Sequence, residues 1–321
     1  MKIDIFTHVV PQKYKSALGR AAPNLEAHTA QMPTLYDLDL RFKILDKYDD
    51  VKQVLTLALT AALILGDPKH AVDFARLAND ETAELVRKYP DRFFAGTASL
   101  PMTDMDAAVT ELDRAIGKLG LKGVQLFTPA QGKQMDLAGY MPIFERMAHY
   151  ELPVWIHPMK PIDRSGYKNY FIDHVFGWPF ESTVAMTNLV FDGLFERFPG
   201  IKVIVHHCGA LVPFFAQRIA EAYIASGTMH GMKHEGLARP LIDYFKMFYN
   251  DTALNGHTPG LMCGHALYGA DHIVFGTDMP YDFELGERNI RQNIESVEAM
   301  PISDAEKKLI YEGNARALLN L

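Results

Sequence analysis

Residues 202–218 read KVIVHHCGALVPFFAQR. The first six, Lys202–His207, form a β-branched run that ends in two histidines. Gly209 then permits a tight turn, and a helical pattern follows. Strands this continuously apolar are buried on both faces, as they are when helices cover a parallel sheet. A strand that ends in polar groups and turns directly into a helix is the repeating unit of an α/β fold.

The same rhythm extends outward in both directions. Strands are expected at Lys2–Phe6, Gln53–Leu59, Phe93–Leu100, Gly123–Phe127, Pro153–His157, Lys202–His207, Tyr244–Asn250 and His272–Asp278. Amphipathic stretches between them, such as Asp67–Lys88, Asp104–Leu119 and Ser182–Phe198, predict helices, with Asp104 and Ser182 as N-caps. An extra C-terminal helix, Ser303–Leu319, opens with the capping-box pair Ser303 and Glu306. Alternating strands and helices imply parallel pairing through right-handed crossovers. Eight such units imply closure into a (β/α)8 TIM barrel, a single domain over residues 1–321.

Three connections exceed what a barrel needs: Gly19–Leu38 after strand 1, Met159–Glu181 after strand 5, and Ser226–Pro240 before strand 7. The first two leave C-terminal strand ends, where barrel enzymes place their active sites. The second holds Tyr167, Tyr170, Phe171, Phe176 and Trp178. It reads either as a lid or substrate-contact segment, suited to a flat or aromatic substrate, or as plain barrel decoration. The third lies on the opposite face and reads as an interface or ordinary surface.

Composition narrows the function classes. A formal net charge of -7 over 321 residues argues against a nucleic-acid partner, which calls for a basic face. No apolar run reaches the roughly 18 residues of a membrane span. The N-terminal MKIDIFTHVV lacks the features of a signal peptide. Two cysteines, Cys208 and Cys263, make no disulfide framework and fit a reducing cytoplasm. No GxGxxG opens a helix after a strand, and neither a GxxxxGK[ST] loop nor a G-x-S-x-G elbow occurs. Cys208 reads as a small buried residue beside the turn.

Polar groups recur at one end of the expected barrel. These are His8, His157, the His206–His207 pair and Asp278. Side chains there converge on the barrel mouth. A lone strand-end histidine is commonly a hydrogen-bonded structural residue, and Asp278 alone reads as a helix cap. Placed together, two imidazoles and a carboxylate suit a divalent ion such as zinc. Asp278 closes the apolar FGTDMP strand, where an unpaired carboxylate is costly to bury. Strand alternation lets only one of His206 and His207 face inward.

These motifs resemble the amidohydrolase-2 family, which includes aminocarboxymuconate-semialdehyde decarboxylase and related aromatic-acid decarboxylases. The family pattern is D-x-H-x-H-x-x-P, a strand-5 H-P, a strand-6 H-x-G-G-x-x-P and a strand-8 G-[ST]-D-x-P. Here the first reads Asp4-Ile5-Phe6-Thr7-His8-Val9-Val10-Pro11 and the second His157-Pro158. The third reads His207-Cys208-Gly209-Ala210-Leu211-Val212-Pro213 and the fourth Gly276-Thr277-Asp278-Met279-Pro280. Ala210 replaces a glycine, a mild departure. Phe6 replaces the first histidine of the opening pair, and it shares a face with His8. A phenyl ring cannot coordinate a metal.

The resemblance implies a homodimer with one divalent metal, zinc or manganese, held by His8, His157 and Asp278. Three protein ligands plus water suffice for zinc. His206 could stand in for Phe6 only if its strand is bulged or twisted. The resemblance makes His207 an acid/base group beside the metal and Asp278 part of the catalytic set. Gly177-Trp178-Pro179 matches a G-x-P segment of the decarboxylases and places His174 and Trp178 by the substrate, next to Phe6. Arg218 falls where the family often has an arginine, either to pair with a substrate carboxylate or as a surface salt bridge. The expected activity is non-oxidative decarboxylation of a small aromatic or unsaturated carboxylic acid. Two alternatives stay open: hydrolysis or hydration of a lactone, amide or conjugated acid at the same site, and a metal-free binding barrel.

Overall fold

The structure is a computed structural model, which describes residues 1–21, 30–58, 68–167, 169–232 and 236–321. Parts of three expected loops (residues 22–29, Lys168 and residues 233–235), together with Leu59 and Asp67, lie outside the described residues.

Among the described residues, nine strand segments follow in chain order: β1 (Lys2–Val9), β2 (Val51–Leu57), β3 (Phe93–Gly96), β4 (Ala98–Ser99), β5 (Val124–Thr128), β6 (Val154–Pro158), β7 (Val203–Val205), β8 (Tyr249–Asp251) and β9 (Ile273–Val274). Every strand pair is parallel. β3 and β4 are one barrel strand interrupted at Thr97. The Thr97 N–H donates to Leu55 of β2 at 2.9 Å, and the Ala98 N–H donates to Gly123 beside β5 at 2.8 Å. The strand therefore changes partner within one residue, which leaves the eight barrel strands expected from the sequence. Closure runs between β1 and the segment after β9. Ile5 N–H donates to Phe275 O at 2.8 Å, Asp278 N–H to Phe6 O at 3.1 Å and His8 N–H to Met279 O at 2.7 Å.

Alternation sorts the side chains, except that a register shift of β1 against β2 between Asp4 and Thr7 brings the neighbours Ile5 and Phe6 into one cluster. Ile3, Ile5, Phe6, Val54, Ala95, Trp155, Ile204 and Val274 form one buried cluster inside the barrel, with Ala315, Leu318 and Leu319 of the last helix closing it. Val124, Leu126, Val154, Ile156, Val203 and Val205 face the other way, against helix residues such as Leu112, Phe144 and Leu189. Trp155 and Ile204 thus point inward, and so do His157 and His206, two residues further along.

Most helices open as expected. Asp104 caps the helix Met105–Gly117 by accepting from Ala107 N–H. The capping box of Ser303 and Glu306 is present, and the last helix continues to Leu319 through a π turn at Leu309–Gly313. Two expectations are corrected. Ser182 is not an N-cap: it is buried inside the helix Trp178–Phe191, whose first turn carries Pro179. That ring fits a first turn because the N–H it lacks has no helical partner there. The expected strand Tyr244–Asn250 begins only at Tyr249, because Leu241–Phe245 is a short helix following Pro240. The helix Val212–His230 runs into the expected Ser226–Pro240 loop and ends at Gly231 with φ 63°. Among the described residues, no helix is long and apolar enough to cross a membrane.

Candidate active site

Three histidines are held from behind by their Nδ1 atoms. His157 Nδ1 lies 2.6 Å from the Pro158 carbonyl, which can only accept, so Nδ1 carries the proton. His206 Nδ1 donates to the buried carboxylate of Asp251. His8 Nδ1 lies 3.1 Å from Thr56 Oγ1, whose own proton goes to the Thr7 carbonyl at 3.0 Å. His8 Nδ1 is therefore a donor as well. A neutral imidazole protonated at Nδ1 has its lone pair at Nε2. All three Nε2 atoms then face the same space with an acceptor outward.

Asp278 is the fourth group. Its Oδ1 is 3.1 Å from His8 Nε2 and 3.2 Å from His206 Nε2, and its Oδ2 is 4.0 Å from His207 Nε2. Two ligands about 2.0–2.1 Å from one tetrahedral ion stand about 3.3 Å apart, close to these separations. The ligand atoms of His8, His157 and His206 lie within 4.8 Å of one another, as do those of His206, His207 and Asp278. Among the described residues, His206 Nε2 has no hydrogen-bond partner of good geometry. Lone pairs and a carboxylate converging in a buried space repel one another unless a cation sits among them. The donor set therefore fits a divalent metal, and its outer ring of Thr56, Pro158 carbonyl and Asp251 is the support that metal-binding histidines ordinarily have.

The surroundings hold this set in place. Arg41, fully buried, donates from Nη1 to the His8 carbonyl at 2.7 Å and from Nε to Gln53 Oε1 at 2.7 Å. Asp4 accepts from Thr277 N–H at 2.9 Å and from Thr277 Oγ1 at 2.6 Å, which ties β1 to the residue before Asp278.

The structure corrects the expectation that only one of His206 and His207 faces the site. His206 follows β7 in strand alternation and points inward. Residues 207–210 then all adopt left-handed backbone, with φ of 59°, 55°, 71° and 56°. This turn swings the His207 ring round against His206, with centroids 3.9 Å apart. Gly209 permits it because a Cβ there would strike the Tyr268 hydroxyl and lie 2.7 Å from Asn250 Oδ1. Left-handed backbone at non-glycine residues is strained and clusters at functional sites.

The local field separates the charges. Burial opposes a charge on His206, but Asp251 and Asp278 beside it outweigh burial and hold it up at about 10. Burial, aided by the neighbouring His206, pushes His207 down to about 3. Burial also lowers His8, and lowers His157 strongly. Burial would raise Asp278, yet the adjacent His206 and His8 keep it well below the usual carboxylate range. The two carboxylates thus favour positive charge at His206, which a bound cation would supply in place of a proton on Nε2.

Aromatic rings wall the site. Phe6 faces it as expected, fully buried and stacked on His206 at 3.9 Å with 13° between ring planes. Phe127 and Trp178 lie 5.4 and 5.6 Å from His157, and Tyr281 lies 5.2 Å from His8. Trp178 stacks on His174 at 3.9 Å, and His174 itself is exposed. Of the other aromatic residues in the strand-5 loop, Tyr170, Phe171 and Phe176 are exposed. Arg218 is exposed on the helix Val212–His230. Cys208 is buried, with its thiol pushed up by burial, as a small packing residue should be. Sequence reading did not identify Asp251, Thr56, Phe127 or Tyr281. Asp251 had only one signal, its place directly after the expected strand Tyr244–Asn250.

The profile of the amidohydrolase family (Amidohydro_2) matches residues 3–321, and the chain belongs to that family. It is 32% identical to gamma-resorcylate decarboxylase of Polaromonas sp. strain JS666, over 88% of this chain and 87% of that one. It is 29% identical to 2-amino-3-carboxymuconate-6-semialdehyde decarboxylase of Dictyostelium discoideum, over 100% of this chain and 92% of that one. Among solved structures it resembles dihydroxybenzoic acid decarboxylase of Polaromonas sp. JS666 with bound manganese and the inhibitor 2-nitroresorcinol. The TM-score is 0.80 at 27% identity, covering 100% of this chain and 97% of that one.

Proposed function

We propose that this protein is a metal-dependent, non-oxidative decarboxylase of a small aromatic or unsaturated carboxylic acid. The observation that carries the reading is the convergence of Nε2 lone pairs on the Asp278 carboxylate at the barrel mouth. The relatives' names support the reaction and the substrate class, since both are decarboxylases of unsaturated or aromatic acids. His8, His157 and Asp278 would hold the ion. An imidazole-rich set suits zinc, and manganese is the alternative that the Polaromonas structure supports. When bound, a divalent ion supplies fixed positive charge and Lewis acidity for the substrate's carboxylate or a neighbouring oxygen.

The chain's own residues supply the rest. Phe6, Phe127, Trp178 and Tyr281 present flat apolar walls suited to a planar acid. They also exclude water, which strengthens the charge interactions inside. His207, whose charged form burial disfavours, stands 4.0 Å from Asp278, with its buried Nδ1 lacking a hydrogen-bond partner among the described residues. It can take up a proton from the incoming acid or from solvent and deliver it to the carbon bearing the carboxylate. The bond from that carbon to the carboxylate then breaks, CO2 leaves, and the electron pair restores the ring or double bond. Phe214, Met229 and Met232 are exposed on and beside the helix Val212–His230, which supports the expected homodimer. The two free cysteines fit a cytoplasmic setting.

The test is CO2 release from a panel of hydroxylated benzoates and unsaturated acids, with protein loaded with zinc or manganese and with the chelated protein. Metal-dependent release supports the proposal. Hydrolysis of a lactone or amide with no CO2 from any acid overturns it in favour of the hydrolase reading.

A further inference from the structure

Phe6 removes an imidazole from the place where the resemblance expects a ligand, but the site does not lack that imidazole. We propose that His206 takes the lost position, so that the metal is held by His8, His157, His206 and Asp278, with His207 left free as the acid/base group. The inference rests on the metal-site reading above and goes further in assigning the ligand set.

Three independent observations support it. His206 is fully buried and its Nε2 points into the cluster without a well-formed hydrogen bond. That atom lies 3.2 Å from Asp278 Oδ1, nearly the same as the 3.1 Å of His8 Nε2 from the same oxygen. Its Nδ1 donates to a buried carboxylate, Asp251, which also accepts from the Cys208 and Ala253 N–H groups and so cannot swing away. Such a carboxylate behind an imidazole fixes the tautomer and raises ligand basicity. Phe6 acquires a role in this arrangement. Its ring lies flat on His206, with planes 13° apart, and holds the imidazole plane toward the ion. Phenylalanine at position 6 and histidine at position 206 are thus complementary: one residue supplies the wall and the other the ligand. His207 differs on each count. It is partly exposed, it stands 4.0 Å from Asp278, and among the described residues its Nδ1 has no hydrogen-bond partner.

X-ray absorption fine structure on the zinc-loaded, unmutated protein counts the imidazoles directly. Three are expected, whereas a site of His8, His157 and Asp278 alone gives two. Because His207 could also supply a third, the His207→Ala protein is measured alongside and should still show three. Zinc affinity by chelator competition provides a second readout. His206→Ala should weaken it at least 100-fold, and His207→Ala should change it less than threefold. Two imidazoles in the unmutated protein, a drop to two in His207→Ala, or no zinc uptake at all overturns the assignment. If His206→Ala fails to fold, the imidazole counts still decide. The count does not depend on turnover. Three imidazoles without CO2 release would sink the decarboxylase reading and leave this one standing.

Discussion

Asp251→Asn is the smallest change that reaches the centre without removing a ligand. One oxygen of Asp251 accepts from Cys208 N–H at 3.2 Å and Ala253 N–H at 3.0 Å, and the other takes the His206 Nδ1 proton. In the amide variant an oxygen must stay opposite the two backbone donors. Flipping the amide would set an NH2 against both and leave two buried N–H groups unpaired, at about 1–3 kcal/mol each. The amide nitrogen therefore faces His206. A donor there requires a lone pair on Nδ1, which moves the imidazole proton to Nε2, the atom aimed at the ion. Losing a supporting group of this kind typically costs about 10–100-fold in metal affinity, or about 1.4–2.8 kcal/mol. Because the variant also blocks the coordinating lone pair, the loss should fall near the upper end, about 100-fold. Chelator competition with zinc or cobalt measures it, with circular dichroism on the same samples to verify the fold. A folded variant whose zinc affinity stays within about threefold of the parent, well short of the roughly tenfold lower bound for such a loss, would refute the role given to Asp251.

Two further outcomes are expected. His207→Asn should lower kcat by about 10²–10⁴-fold, the range for a lost general acid or base, while metal content by elemental mass spectrometry stays at the parental value. Equal loss of metal would make His207 a ligand instead. The second concerns Asp4, whose buried carboxyl is pushed up from 3.8 to about 7, chiefly by burial. The unfolded chain releases this proton near the lower value and the folded chain near the higher. Stability from this group is therefore present at low pH, declines as pH rises between the two, and is flat above. The decline amounts to about 4 kcal/mol at 1.36 kcal/mol per unit. Asp4→Asn has no such proton to lose. Urea unfolding of the chelated proteins should show the variant gaining on the parent between pH 4.5 and 7.5, and a pH-independent difference would contradict the assignment.

The barrel was legible because its strands are nearly continuous in apolar residues, and His8, His157 and Asp278 because polar groups at the ends of such strands have few other reasons to be there. Reading failed where the backbone leaves its regular period. Alternation allowed only one inward histidine after β7, but four left-handed residues in succession bring in both. Only Gly209 signals that turn, because non-glycine residues rarely adopt such backbone. The run Tyr244–Phe248 could not be assigned from its apolar residues alone, since short apolar stretches suit a strand or a buried helix equally. Asp251 has no motif of its own in the sequence, because its partner His206 comes from a different strand and is brought to it only by the fold.

Decarboxylation at this barrel mouth replaces a carboxylate with a proton. Its most direct test is turnover of an accepted acid by the metal-loaded protein in D2O, followed by mass spectrometry and NMR of the product. Loss of CO2 and a single deuterium on the carbon that carried the carboxylate are expected, both abolished by chelation. A product that keeps its carboxylate and has gained oxygen from water would contradict it.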